Sequence, residues 1–242
     1  MDISMKTIAR IHSDFPEKFG IPRQSGLVEV LEASVVFEPE YRNPAALCGL
    51  EGYSHIWLLW QFSQAVRDTW SPTVHPPRLG GNRHMGVFAT RSPFRPNPLG
   101  LSSVRLLGIE KNTQWGVFLR VAGADLMDGT PIYDIKPYLP YTDSHPEASG
   151  GFGEASAGYG LEVVFAEELL AQVPAAKREA LRGILAQDPR PSYQNDPERI
   201  YGVAFDRQNI RFRVSGGVLT VCEVQEYTGA REKDGRFKPG EG

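Results

Sequence analysis

The sequence predicts a mainly β protein: a closed or nearly closed N-terminal β-barrel followed by a small C-terminal α+β domain. Three observations carry this expectation. Apolar runs of strand length at His55–Phe62, Ser102–Ile109 and Trp115–Val121 are rich in Val, Leu, Ile and aromatic residues, the composition of buried strands. In residues 1–145, Asn43–Leu50 is the one short helical candidate, so strands do not alternate with helices as a βαβ sheet requires. Residues 146–160 then lose all apolar periodicity in favour of Gly, Ala and Ser, which is linker composition.

At about 100–200 residues per domain, the 242 residues make one large domain with a small companion. We place the barrel in residues 1–145, a linker at 146–160, the α+β domain at 161–228 and a tail at 229–242. In the barrel, Gly26–Glu32 alternates imperfectly and is taken as a further strand. After the linker, Ala166–Gln187 is built from helix formers and interrupted by Pro174, which predicts two short helices or one broken at its start. Strands follow at Ile200–Phe205, Ile210–Val214 and Val218–Val224, with Ser215-Gly216-Gly217 able to supply the positive φ of a tight hairpin. The last residues are charged and Gly-rich, and Lys177, Arg178 and Arg182 fit a solvated helix face.

Composition excludes several classes of function. A net charge of -3 provides no whole-molecule field for nucleic acid or an anionic membrane, so any such attraction is local. No run approaches the roughly 18 apolar residues of a membrane span, and Met1–Arg10 has no apolar signal region; a cytoplasmic protein is expected. Cys48 and Cys222 are too far apart for a metal knuckle or redox pair and are expected to be reduced, buried thiols. Dinucleotide, P-loop and zinc signatures are absent, so no metal is expected.

The chemistry concentrates between Thr69 and Ile109. This stretch holds Arg78, Arg83, Arg91, Arg95 and Arg105 with His75 and His84, and no Asp or Glu. Proline and glycine punctuate it, stiffening the loops and letting a ligand approach backbone N–H groups. Guanidinium forks suit phosphate or carboxylate. Taken singly, each arginine has a plainer role, satisfying loop carbonyls or pairing with distant acids. A second cluster runs from Asp125 to Tyr141. Strict alternation puts Ile132 and Asp134 on one face, with Asp134 in a half-apolar cavity that raises its pKa and suits it as a general base; a structural pair with Lys136 is the alternative. His55 is expected to be a satisfied core histidine.

Five segments then make a resemblance: Pro22-Arg23-Gln24, Gly49–Trp57, Pro77–Asn82, Gly86–Leu101 with its Arg91-Ser-Pro-Phe-Arg-Pro-Asn-Pro run, and Asp128–Tyr138. Together they resemble the TrmO family of tRNA methyltransferases, also called TsaA or YaeB. The resemblance is dense over residues 5–145 and extends to Leu185–Tyr193. It implies methyl transfer from S-adenosylmethionine to N6 of threonylcarbamoyladenosine beside the anticodon of a threonine tRNA. It also implies a homodimer and a barrel unlike the usual methyltransferase sheet. Carried over position by position, the cofactor would touch Pro22, Arg23, Gln24, Ser63, Gln64, Arg91, Leu101, Asp128, Gly129, Thr130 and Pro131. Asp134 and Arg91 would serve catalysis, with Arg78, Arg95, Asn97, Lys136 and Tyr138 on the substrate. Two rivals remain open: a non-enzymatic RNA-binding barrel that stacks bases on its Arg and aromatic residues, and a methyltransferase with the same cofactor site acting on another substrate.

Overall fold

The structure is a computed structural model and describes residues 4–76, 84–156, 158–190 and 196–229. Strand β1 (Ala9–His12) is followed by β2 (Glu32–Phe37), β3 (His55–Gln61), the two-residue strands β4 (Thr73–Val74) and β5 (Met85–Gly86), then β6 (Leu99–Asn112), β7 (Gly116–Ala122) and β8 (Pro131–Pro137). Six of these close into a barrel in the order β1-β2-β7-β6-β3-β8, with antiparallel pairing throughout. Closure is uneven. The β1–β8 seam pairs Ala9 with Ile132 and Arg10 with Pro131, whereas β3 and β6 pair from His55↔Arg105 to Gln61↔Leu99.

Residue alternation explains the barrel core. In β3, Ile56, Leu58 and Trp60 are buried while Trp57, Leu59 and Gln61 are partly exposed, which is the period of two expected of a strand. The inward side chains meet Ile11, Val35, Val104, Leu119, Val121 and Ile132 from the other strands. β6 is longer than the sequence suggests, and its ladder slips between Leu106 and Gly108, a bulge that helps a long strand bend around the barrel.

Beyond the barrel lie α1 (Pro140–Asp143), a 3-10 turn at Gly151–Ser156, β9 (Glu162–Val164), α2 (Glu167–Leu170) and α3 (Arg178–Ala186), then β10 (Tyr201–Phe205), β11 (Gln208–Ser215) and β12 (Val218–Glu226). Pro174 does interrupt the helical stretch, leaving α2 and α3 on either side. The sheet runs β10-β11-β12-β9, with β9 parallel to β12. Gly216 and Gly217 sit at φ 59° and 83° between the paired Ser215 and Val218, the two-residue hairpin that the sequence predicts.

Four expectations need correction. Gly26–Leu31 is a turn, not a strand: Gly26 has φ +80°, its N–H bonds the Gly123 carbonyl, and Leu31 N–H closes onto Val28. Val28 and Leu31 are apolar because they pack with the C-terminal sheet. The helical candidate at 43–50 is a pair of 3-10 turns, Pro44–Leu47 and Leu50–Gly52, the first capped by the Asn43 side chain. Both cysteines are exposed; Cys222 follows the inward Leu219 and Val221 on the opposite parity, at the surplus position where Phe212 pairs with Val221 and Arg211 with Glu223. His55 is also exposed at the mouth of β3 and meets the Ser54 hydroxyl at 3.0 Å. Residues 230–242 of the expected tail lie outside the described residues.

The second core belongs to both ends of the chain. Phe15, Val28 and Leu31 join Leu181, Ile184, Val203 and Phe212 in one buried cluster. Lys177 pairs with Asp14, and Asp206 N–H donates to the Asp14 carbonyl at 2.7 Å. The loop from Asp14 to Leu31 is thereby clamped between barrel and C-terminal sheet. At its midpoint Gly20 has φ +92°, and a Cβ there would stand 2.0 Å from Val203 Cγ2. Gly20→Ala combines a strained backbone with an overlap against a buried strand, and we expect it to lower stability by about 2–4 kcal/mol in urea unfolding; an unchanged midpoint would contradict this packing.

Candidate functional site

Chain segments far apart in sequence converge on a cavity of about 680 Å³, within the range of about 300–1,000 Å³ usual for small-molecule sites. The clamped loop contributes Lys18 and Ile21–Ser25, the end of β3 and the turn after it contribute Trp57 and Trp60–Ala65, and the loop before β6 contributes Thr90, Arg91 and Pro93–Arg95. Leu99–Leu101 of β6 and Asp125, Met127 and Thr130 complete the lining. Lys18 Nζ donates to the Gln64 carbonyl at 3.0 Å, and Arg91 Nη1 donates to Gln24 Oε1, so two of the contributing loops are tied directly to the clamped one.

The floor is set by a glycine under an indole. A Cβ on Gly100 would lie 2.3 Å from Trp60 Cε2, so a bare backbone is what lets the ring lie there. Trp60 Nε1 donates to Ser102 Oγ at 3.0 Å, and Ser102 Oγ donates to Asp125 Oδ1 at 2.6 Å. Direction in this relay is fixed by chemistry: indole N–H can only donate, so the serine must accept from it and turn its own proton toward the carboxylate. Burial pushes the Asp125 carboxyl above the usual carboxylate range, against the opposing pull of the Ser102 hydroxyl, its own and Ser25 backbone N–H groups, and the Arg91 charge.

The structure gathers Pro22, Arg23, Gln24, Ser63, Gln64, Arg91, Arg95, Leu101 and Thr130 around this cavity. It does not gather the rest of the sequence-predicted set there. Asp128 lines a different hollow with His12 and Trp115, where its Oδ1 accepts Ser13 N–H at 3.1 Å and lies 3.5 Å from His12 Nδ1, while Oδ2 is buried without a hydrogen-bond partner. Gly129 is bonded into the barrel, its N–H to Ile11 and its carbonyl to Arg10. Pro131 opens β8 within the barrel seam. Asn97 is exposed on the loop before β6, and Tyr138 packs on Trp57 with ring centroids 5.5 Å apart. Arg78 lies outside the described residues.

The expectation for Asp134 is overturned by a bulge. Leu59 pairs with Asp134 but Trp60 with Ile132, so Tyr133 is surplus and strict alternation from Ile132 fails. Asp134 is instead a partly exposed carboxylate 2.9 Å from Lys136 Nζ, outside the cavity lining. Arg95 departs too from a free phosphate contact, because its Nη1 donates to the carbonyls of Val87 and Thr90 at 3.1 and 2.6 Å. Sequence reasoning missed Asp125, Ser102 and Trp60 as site residues. An acid just past the end of β7 is the one signal they offered.

Comparison with known proteins matches this arrangement to a family. The model of the tRNA-methyltransferase O N-terminal domain matches residues 10–144, and that of the TrmO C-terminal domain matches residues 159–227. The chain belongs to the TrmO family. It is similar to the tRNA (adenine(37)-N6)-methyltransferase of Escherichia coli (strain K12), 42% identical over 226 residues, 90% of this chain and 96% of that one. A Pseudomonas aeruginosa protein named a putative S-adenosylmethionine-dependent methyltransferase is 44% identical over 213 residues, 84% of this chain and 89% of its own length. The crystal structure of TrmO from Pseudomonas aeruginosa superposes with a TM-score of 0.74 at 35% identity, covering 93% of this chain and all, 100%, of that one. TrmO membership therefore extends through the barrel and the C-terminal sheet alike.

Two outcomes check the site. In Gly100→Ala the new methyl displaces the Trp60 ring and breaks its bond to Ser102, so tryptophan emission shifts and stability drops by about 1–3 kcal/mol; unaltered emission and stability would remove Gly100 from this role. Because the folded chain raises Asp125, its protonated form is favoured by folding. Stability from this group is full below the ordinary Asp value and is lost as pH climbs through the raised one. Asp125→Asn should flatten that decline in denaturation midpoints measured across acidic to neutral pH.

Proposed function

We propose that the chain transfers a methyl group from S-adenosylmethionine to N6 of threonylcarbamoyladenosine beside the anticodon of a threonine tRNA, as a cytoplasmic homodimer. The observation that carries this reading is the convergence of the 22–25, 63–64, 91 and 101 positions on one cavity whose lining holds a single, half-buried carboxylate, Asp125. The names of the relatives support the tRNA adenine target and the cofactor.

The residues present fit such a donor. Trp60, Phe62 and Leu101 offer apolar surface to an adenine ring, Arg91 offers a guanidinium to an amino-acid carboxylate, and Asp125 offers a fixed negative charge to a sulfonium. When bound, the donor supplies a methyl group already activated by positive sulfur. What the chain contributes is alignment between loops tied to one another, the main requirement of an in-line displacement. Asp125 accepts the Ser102 hydroxyl and backbone N–H groups, which fix its orientation, and a sulfonium beside it would favour its charged form against the burial that raises its pKa. Lys136, with 71% of its side chain exposed and Asp134 steadying it at 2.9 Å, presents a cation to the threonyl carboxylate. Asp134 acts in this reading as a positioning residue.

The donor is a cation and its demethylated product is not, so the two ligands separate charge from shape. Asp125→Asn should weaken S-adenosylmethionine binding about tenfold by calorimetry while leaving S-adenosylhomocysteine binding close to wild type. Equal losses for both would remove the charge role. Mass spectrometry of tRNA nucleosides from a deletion strain should show threonylcarbamoyladenosine without its N6-methyl, restored by the intact gene; a methylated nucleoside in the deletion strain would refute the substrate.

A further inference from the structure

The loop from Val66 to Phe94 carries aromatic side chains that the barrel core does not use. Phe88, in the 3-10 turn Val87–Ala89, is 71% exposed and Trp70 is 52% exposed, with ring centroids 6.1 Å apart and planes tilted by 31°. The Arg95 guanidinium lies 5.7 Å from the Phe88 ring centre while its bonds to Val87 and Thr90 hold the turn. Arg67 stands 3.7 Å over the ring of Phe94, which is itself 39% exposed and lines the cavity. Trp70, Phe88, Arg95 and Phe94 thus form a ladder from open surface to the cavity rim.

Apolar surface exposed in a contiguous patch marks an interaction site, and its charge says with what. From Thr69 to Ile109 the chain contains no Asp or Glu, although the protein as a whole has a net charge of -3. On the ladder itself Arg67 and Arg95 outnumber the one exposed acid beside them, Asp68, and a second copy docking here about a two-fold axis would set that excess of positive charge against itself, since an isologous contact must be self-complementary. Single-stranded RNA supplies what the surface lacks, phosphates for the arginines and flat π faces for the rings.

We propose that this ladder is the docking surface for the unpaired RNA nucleotides that flank the reacting base, with bases stacked on Trp70 and Phe88 and phosphates drawn to Arg67. The proposal rests on the tRNA reading given above. The turn fixed by Arg95 holds the backbone on either side of Phe88, which lowers the ordering cost of stacking. Trp70 and Phe88 are outside the cavity lining, so docking and cofactor binding separate.

The test is titration of a labelled single-stranded RNA with the anticodon-loop sequence, and of a duplex of equal length, into the full chain followed by fluorescence anisotropy. Trp70→Ala and Phe88→Ala should each weaken single-strand binding about tenfold, Trp70→Phe should restore most of it, and the weak duplex binding should be the same in all variants. S-adenosylmethionine affinity should stay at the wild-type value in each. Wild-type RNA affinity in both alanine variants would overturn the proposal, as would their conversion of a dimer to a monomer in sedimentation, which would assign the patch to a second copy. Because this assay involves no methyl transfer, an absence of methylation in the wild type would refute the proposed function and leave the docking result to be judged by itself.

Discussion

The cavity depends on one steric condition, the missing side chain of Gly100. With that space free, the Trp60 ring lies on the β6 backbone and its N–H reaches Ser102, whose hydroxyl is then directed to Asp125. Each step constrains the next because a donor-only group stands at the head of the relay. The result is a carboxylate whose orientation is fixed by β3 and β6, rigid elements of the barrel, although its own residue sits in a loop. Such a foundation is what a site needs when its work is alignment rather than proton transfer.

The C-terminal sheet matters to this cavity although it contributes no residue to the lining. Its buried cluster takes in Phe15, Val28 and Leu31, and these bracket the Pro22–Ser25 segment that forms one wall. Lys177 and Asp206 hold the same loop through Asp14. Folding of the second unit and shaping of the cavity wall are therefore coupled through packing, and the apolar residues between β1 and β2 are explained by that duty.

Much of this was legible in the sequence, and the failures have physical causes. The strand at His55–Gln61 announces itself because its apolar run alternates between core and surface, and the Gly216–Gly217 hairpin because only glycine adopts that backbone at no steric cost. The cavity residues carried by the Pro22-Arg23-Gln24 and Gly86–Leu101 segments were found because the family resemblance marks them. Val28 and Leu31 misled because local alternation cannot say which neighbour an apolar residue will meet. Asp134 misled because parity along β8 holds only up to its surplus residue, Tyr133, whose hydroxyl is drawn to Gln61 Oε1 at 2.6 Å. Asp125 was passed over because its importance lies in Ser102, Trp60 and Ser25, which are distant in sequence.

The short ladder between β1 and β8 has a dynamic consequence. Pro131 has no N–H to give the seam, and closure relies on a few bonds around it: Ile8 N–H to Ile132 at 2.8 Å, Ile11 N–H to Thr130 at 3.2 Å, and the Arg10 side chain to Gly129 at 3.1 Å. Weakly laddered edges are where folded proteins breathe. Thr130 belongs to both the seam and the cavity wall, so any molecule that binds the cavity only when the seam is shut stabilises the closed cylinder by mass action.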